Sequence, residues 1–250
     1  MSDDTGIGGP SAKFPLTRWS AIVAARSPDA AERRRGFETL VAAYWKPVYK
    51  YIRARWGKSN EDAKDLTQEF FARLIEKDFL ATYDPAKSRL RTFLRVCVDG
   101  LVANQDKAAQ RLKRGGDVLL TSLDFETAEG ELGRTEPPAP GGVEEFFEKE
   151  WVRSVFALAL EGLRAECEQR GKVIHFRLFE RFDIEDAGER RLSYEALARE
   201  FNLAVTDVTN HLAYARREFR RITLEKLREM TASDDEFRRE ACGLLGVEPE

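Results

Sequence analysis

Residues 192–221 read LSYEALAREFNLAVTDVTNHLAYARREFRR and set the fold class. The stretch divides into two short amphipathic helices with a tight break between them. Ser193 is placed to cap the first helix, because its hydroxyl can accept from an orphan amide. Leu197, Ala198 and Phe201 give that helix its apolar side. Asn202-Leu203-Ala204 is the break, and Asn tolerates a left-handed backbone better than most residues. Thr206 is a candidate cap for the second helix, which carries Val208, Leu212, Ala215 and Phe219 on one face. Thr209, Asn210, His211, Tyr214, Arg217 and Arg220 fall on the other face. The pattern predicts a helix-turn-helix, a unit whose second helix can enter the major groove of DNA. Four arginines (216, 217, 220 and 221) against Glu218 make the exit basic, which suits phosphate contacts. Both properties also occur in helical hairpins that never meet DNA.

The rest of the 250 residues narrows the choice. Charged residues are 34% of the chain at a net charge of −3, so any nucleic-acid surface must be a local patch. Aromatic residues at 10% imply packed cores. Cys97, Cys167 and Cys242 are far apart, with His175 and His211 the two histidines, so neither a zinc site nor a disulfide framework is suggested. No run approaches the ~20 apolar residues that span a bilayer, and the acidic start lacks a signal core. A cytoplasmic protein with no membrane partner is expected.

Before the hairpin, the chain reads as helices throughout. Residues 1–13 look like a flexible tail, and a first helix is predicted from Leu16 to Val23 with Thr17 as its cap. A long helix follows over Glu32 to Trp56, with Pro47 as a point where it can split or kink. After Gly57, Ser59 or Asn60 can cap a helix EDAKDLTQEFFARLIEK whose Ala63, Leu66, Phe70 and Leu74 face inward. A turn at Tyr83-Asp84-Pro85 leads to a further helix, basic by a net +6 between Lys87 and Arg114 and ending at Gly115-Gly116. The balance then inverts to a net −8 from Gly115 to Glu150, and residues 116–143 read as an extended acidic linker. Helices over Val143–Leu163 and Val173–Phe182 lead back to the hairpin. Ser233 with Glu236 forms a capping-box pattern for a last helix that stops at Gly246. Its Phe237, Leu244 and Leu245 need a surface to dock on.

Taken in order, these pieces resemble a bacterial RNA polymerase sigma factor of the extracytoplasmic-function type, from about Phe14 to Leu227. DAKDLTQEFFARL (62–74) is similar to that family's D-L-x-Q-E-x-F motif. SRLRTFL (88–94) and LVANQDKAAQRLKRGG (101–116) resemble its basic promoter-melting helix, and 192–221 its terminal helix-turn-helix. The resemblance implies an all-α fold with a tail (1–13), a first domain (14–115), the acidic linker (116–143), a second domain (144–230) and a helical extension (231–250). It implies core RNA polymerase and promoter DNA as partners, no cofactor, no metal and no catalysis. Asp62, Asp65, Gln68, Glu69 and Phe71 would dock on the polymerase. Arg95, Asn104, Lys107, Arg111, Lys113 and Arg114 would meet the −10 element. Thr206, Thr209, Asn210, His211, Tyr214, Arg216 and Arg217 would read or grip the −35 element.

The departures from the family pattern carry expectations of their own. The family's Asn-x-x-x-Asp spacing is absent from the melting helix, which reads Asp99-Gly100-Leu101-Val102-Ala103-Asn104. Lys64 stands where an acid is common, beside Thr67. Some subgroups of the family are thought to be switched on by a Ser/Thr kinase acting in this helix. A phosphate on Thr67 would then supply about −1.5 to −2 charges at neutral pH. Control by an anti-sigma protein is the other option. The alternative to a sigma factor is a stand-alone helix-turn-helix regulator that binds duplex DNA without polymerase. No nucleophile–base set, phosphate loop or metal spacing argues for an enzyme.

Overall fold

The computed structural model describes residues 20–76, 79–105, 123–135, 138, 141–185 and 192–246. The described residues are helical with no strand, so the fold is all-α. Ten α-helices follow in order: α1 Ala21–Ala25, α2 Ala30–Trp56, α3 Asn60–Glu76, α4 Leu90–Gln105, α5 Phe125–Gly133, α6 Val143–Gln169, α7 Val173–Phe179, α8 Tyr194–Phe201, α9 Val205–Glu229 and α10 Asp234–Leu245. A 3-10 turn, Phe79–Thr82, precedes α4, and a π-helical turn, Glu180–Glu185, continues α7.

Local chemistry sets most boundaries. Asp29 caps α2 by accepting from Glu32 N, and Gly57 ends it in the left-handed region at φ 58°. α2 continues through Pro47. Ser59 Oγ accepts from Asp62 N (3.1 Å) at the start of α3. The predicted first helix is shorter than read: Ser20 caps it, and Leu16, Thr17 and the tail lie outside the described residues. α2 crosses α1 at Gly36, where an added Cβ would fall 2.4 Å from Ala25 N and 2.6 Å from Ala21 O.

The buried residues form two apolar clusters. The first joins α1–α5 with Phe147, Trp151 and Val155 of α6, Leu227 of α9, Met230 and Ala241 of α10. The second joins Ala159, Leu163 and Cys167 of α6 with α7, α8 and Val208, Leu212, Ala215 and Ile222 of α9. Thus α6 and α9 each run unbroken through both clusters.

The expected extended linker is corrected over 125–133, which is helix α5. Asp124 caps it, Phe125 and Ala128 are buried, and Phe125 packs edge-on to Trp45 (5.4 Å) and Tyr49 (5.2 Å). Two of its three acids are taken up by cations of α2: Glu129 by Arg53 (2.6 Å), and Glu131 by Lys46 and Lys50 (2.7 Å each). The arginine holds the Glu129 carboxyl below its usual range. Acid content alone suggested solvation; tertiary ion pairs and one aromatic anchor order the segment instead. Residues 116–122, 136–137 and 139–140 of the expected linker lie outside the described residues.

Candidate polymerase and nucleic-acid interface

α3 presents a polar face over an apolar body. Asp62 and Asp65 are exposed, Gln68 and Glu69 half-buried, and Arg73 is paired with Glu69. Lys64 is drawn to Glu61 at 2.9 Å. Two site expectations on this helix are corrected. Phe71 is 0% exposed and packs edge-on to Phe70 at 5.1 Å, so its ring is core and not docking surface. Thr67 is also 0% exposed, and its hydroxyl donates to the Ala63 carbonyl at 2.7 Å, so a kinase cannot reach it in the folded helix. Ala63, Thr67 and Phe71 form a second inward stripe, because α3 lies against both α2 and α4.

α4 buries Leu90, Leu94, Val98, Leu101 and Val102 and turns Val96, Gly100 and Asn104 outward. Asp99, at the place of the missing family spacing, looks inward: it accepts from Tyr51 Oη (3.0 Å) and Trp56 Nε1 (3.1 Å). Arg95 reaches Glu144 of α6 at 2.7 Å and Asp99 at 3.6 Å. Burial works against the Arg95 charge, but Tyr51, Glu144 and Asp99 still hold its pKa above the usual arginine value. Lys107, Arg111, Lys113 and Arg114 lie outside the described residues.

The hairpin is built as the sequence reads it, with one change. Ser193 caps α8 through Ala196 N, and Asn202 is left-handed (φ 52°, ψ 51°). Ala204, not Thr206, sits at the cap of α9, without a side-chain bond; Thr206 lies inside the first turn and is exposed. Thr209, Asn210 and Arg217 are exposed along α9, with Thr209 Oγ1 bonded back to Val205 O at 3.0 Å. His211 and Tyr214 are half-buried in a cluster with α7 and the turn before it. The rings of His211 and His175 are 4.0 Å apart. Lys172 Nζ lies 3.7 Å from the Tyr214 ring centre, and Arg170 donates to Tyr214 Oη at 3.2 Å. Burial, then His211 and Lys172, push the His175 pKa down.

Arg216 is turned away from this face. Its guanidinium donates twice to Asp183, at 2.9 Å each, and stacks near Phe182. It ties α9 to the π-helical turn, so its expected DNA role is corrected to a structural one. Arg170 and Lys172 were missed from sequence; the signal was the run Gln169-Arg170-Gly171-Lys172 closing α6. Among the described residues no group of three or more His, Cys, Asp or Glu could hold a metal, and no helix is long and apolar enough to cross a membrane.

The segment that includes α3 and α4 also decides the comparison with known families. Residues 40–112 match the family model described as Sigma-70 region 2. No curated protein and no solved structure matches the chain. The sigma-70 region 2 match covers α2 from Leu40, all of α3 and α4. It supports a sigma-70 family factor, with the role of binding RNA polymerase and helping to melt promoter DNA. Such factors are transcription initiation factors and not enzymes.

Proposed function

We propose that the chain is a sigma factor of the extracytoplasmic-function type that directs initiation at a specific set of promoters. The observation that carries the reading is the region 2 match lying on α2–α4, with α3 offering Asp62, Asp65, Gln68 and Glu69 on one outer face. On this reading α3 docks on core polymerase, and α4 with the basic residues after it meets the −10 element. α8 and α9 act as a helix-turn-helix whose Thr206, Thr209, Asn210, His211, Tyr214 and Arg217 meet the −35 element. Exposed polar side chains along α9, with Arg170 and Lys172 beside Tyr214, suit base and phosphate contacts together.

Control by an anti-sigma protein or a Ser/Thr kinase is the finer part of the proposal. A kinase acting on Thr67 requires α3 to open first, so modification would mark a chain whose polymerase-docking helix is displaced.

The test is binding of the purified chain to core polymerase, followed by run-off transcription on genomic promoter fragments. Specific initiation is the expected result. Duplex-DNA binding without polymerase binding would favour the stand-alone regulator instead.

A further inference from the structure

Among the described residues, the arginines on α4 and at its threshold are all held by carboxylates from the C-terminal half of the chain. Arg89 Nε lies 3.4 Å from Glu240. Arg91 is paired with both Glu240 and Glu148. Arg95 reaches Glu144 at 2.7 Å. Glu144 and Glu148 are one turn apart at the start of α6, and Glu240 is on α10. Glu236, one turn before Glu240, accepts from Leu90 N (3.1 Å), the first amide of α4, and from Tyr83 Oη (2.8 Å). Four carboxylates from two helices therefore line one cationic edge that also includes a helix N-terminus.

This seam is an uneconomical way to dock a helix. Glu236 and Glu240 are 2% and 5% exposed. Burying carboxylates costs desolvation, and apolar side chains of similar volume commonly hold such a contact as well or better. A seam of this kind has a distinct property: its strength depends on cations that a nucleic-acid backbone also attracts. Spaced carboxylates on a helix can occupy the same arginines and amide that phosphates would.

We propose that the edge formed by Arg89, Arg91 and Arg95 is a phosphodiester-binding surface, and that the start of α6 together with α10 is an acidic strap occupying it until DNA displaces the carboxylates. The proposal rests on the reading that α4 faces DNA. It adds Arg89 and Arg91 to the DNA side and gives the helical extension a role. Glu144 is 71% exposed and forms the loose outer end of the strap, where exchange begins. Glu236 and Glu240 form its inner end.

The test uses the full chain and fluorescein-labelled 30-nucleotide DNA of random sequence, single-stranded and duplex, titrated at several salt concentrations. Glu144→Gln/Glu148→Gln neutralises the outer carboxylates while leaving the buried pair intact. A control, Glu38→Gln/Glu161→Gln, changes net charge equally at positions outside the strap. The strap predicts about tenfold tighter binding for the first variant, with a salt slope steeper by about 1 to 2, and no comparable gain for the control. The gain should shrink when Arg95→Ala is added and vanish when Arg91→Ala is added as well. Equal gains in both variants, no gain in a variant with native circular dichroism, or a gain undiminished by Arg91→Ala/Arg95→Ala would each overturn the proposal. Core-polymerase binding, measured in parallel, separates the two readings. Polymerase binding without a DNA gain removes the strap alone. A DNA gain without polymerase binding removes the initiation-factor reading and leaves the strap.

Discussion

Lys50 and Glu150, one hundred positions apart, meet at 2.7 Å with both side chains almost wholly buried. The pair fastens α2 to α6, and Glu131 of α5 shares the same ammonium at 2.7 Å. Lys50→Met leaves the Glu150 carboxylate buried beside Arg153 alone and should cost about 3–5 kcal/mol. The double variant Lys50→Met/Glu150→Leu removes the orphaned charge and should recover most of that loss. Urea denaturation of the four species gives the cycle, and additive losses would show that the pair is not coupled.

Thr67 should respond to charge and not to loss of its hydroxyl. Thr67→Val keeps the shape and should stay within about 1 kcal/mol of the parent. Thr67→Glu forces a carboxylate into a closed site and should cost about 3 kcal/mol or more, or open α3 outright. Thermal melts with far-ultraviolet circular dichroism distinguish these outcomes. A Glu variant as stable as the parent would mean that α3 accommodates charge at this position.

Gly36 marks the closest approach of two helices. Its added methyl would collide with backbone atoms of α1, which cannot swing aside as a side chain does. Gly36→Ala should therefore destabilise by about 1–3 kcal/mol even though Ala favours helix. The loss should appear as a lower urea midpoint.

Two neighbouring arginines of α9 should separate function from stability. Thr209→Ala/Asn210→Ala and Arg217→Ala should weaken promoter binding, by about 1–3 kcal/mol for a base contact, with little change in melting. Arg216→Ala breaks the Asp183 bond instead and should lower stability by about 1 kcal/mol, since the group is partly exposed. Gel-shift titrations beside denaturation curves test the division.

His175 makes the second cluster sensitive to acid. Its folded pKa is depressed, so the unfolded chain takes up the proton first. Its contribution is fully present above about pH 6.5, the ordinary histidine value, and is lost as pH falls through the lower folded value. His175→Phe keeps a ring against His211 and should flatten the decline in stability below pH 6.5. Urea midpoints between pH 5 and 8 check the slope.

Four caps and turns are legible because their chemistry is local: Ser193, Asn202, Ser233 and Gly246 do what their side chains or missing Cβ permit, whereas the cap read at Thr206 falls to Ala204. The hairpin's apolar spacing was equally plain. What escaped was tertiary. α5 forms where acid content suggested solvent, because three cations of α2 wait for it. Thr67 and Phe71 fall outside the single inward stripe that helical spacing implies, whereas α3 is covered on two sides. Arg216 is taken up by Asp183, thirty-three positions earlier, which periodicity along one helix cannot reveal.

The two long helices that cross both clusters have a mechanical consequence. With 25 residues, α9 is a rod about 37 Å long, anchored at Leu227 in one cluster and carrying its exposed Thr209 and Asn210 near the far end. A tilt of about 10° at the anchored end would sweep the tip through roughly 6 Å, close to two base-pair steps of 3.4 Å each. A small displacement of the first cluster, such as docking of α3 on a large partner would impose, would thus arrive, amplified, as a change of register on DNA.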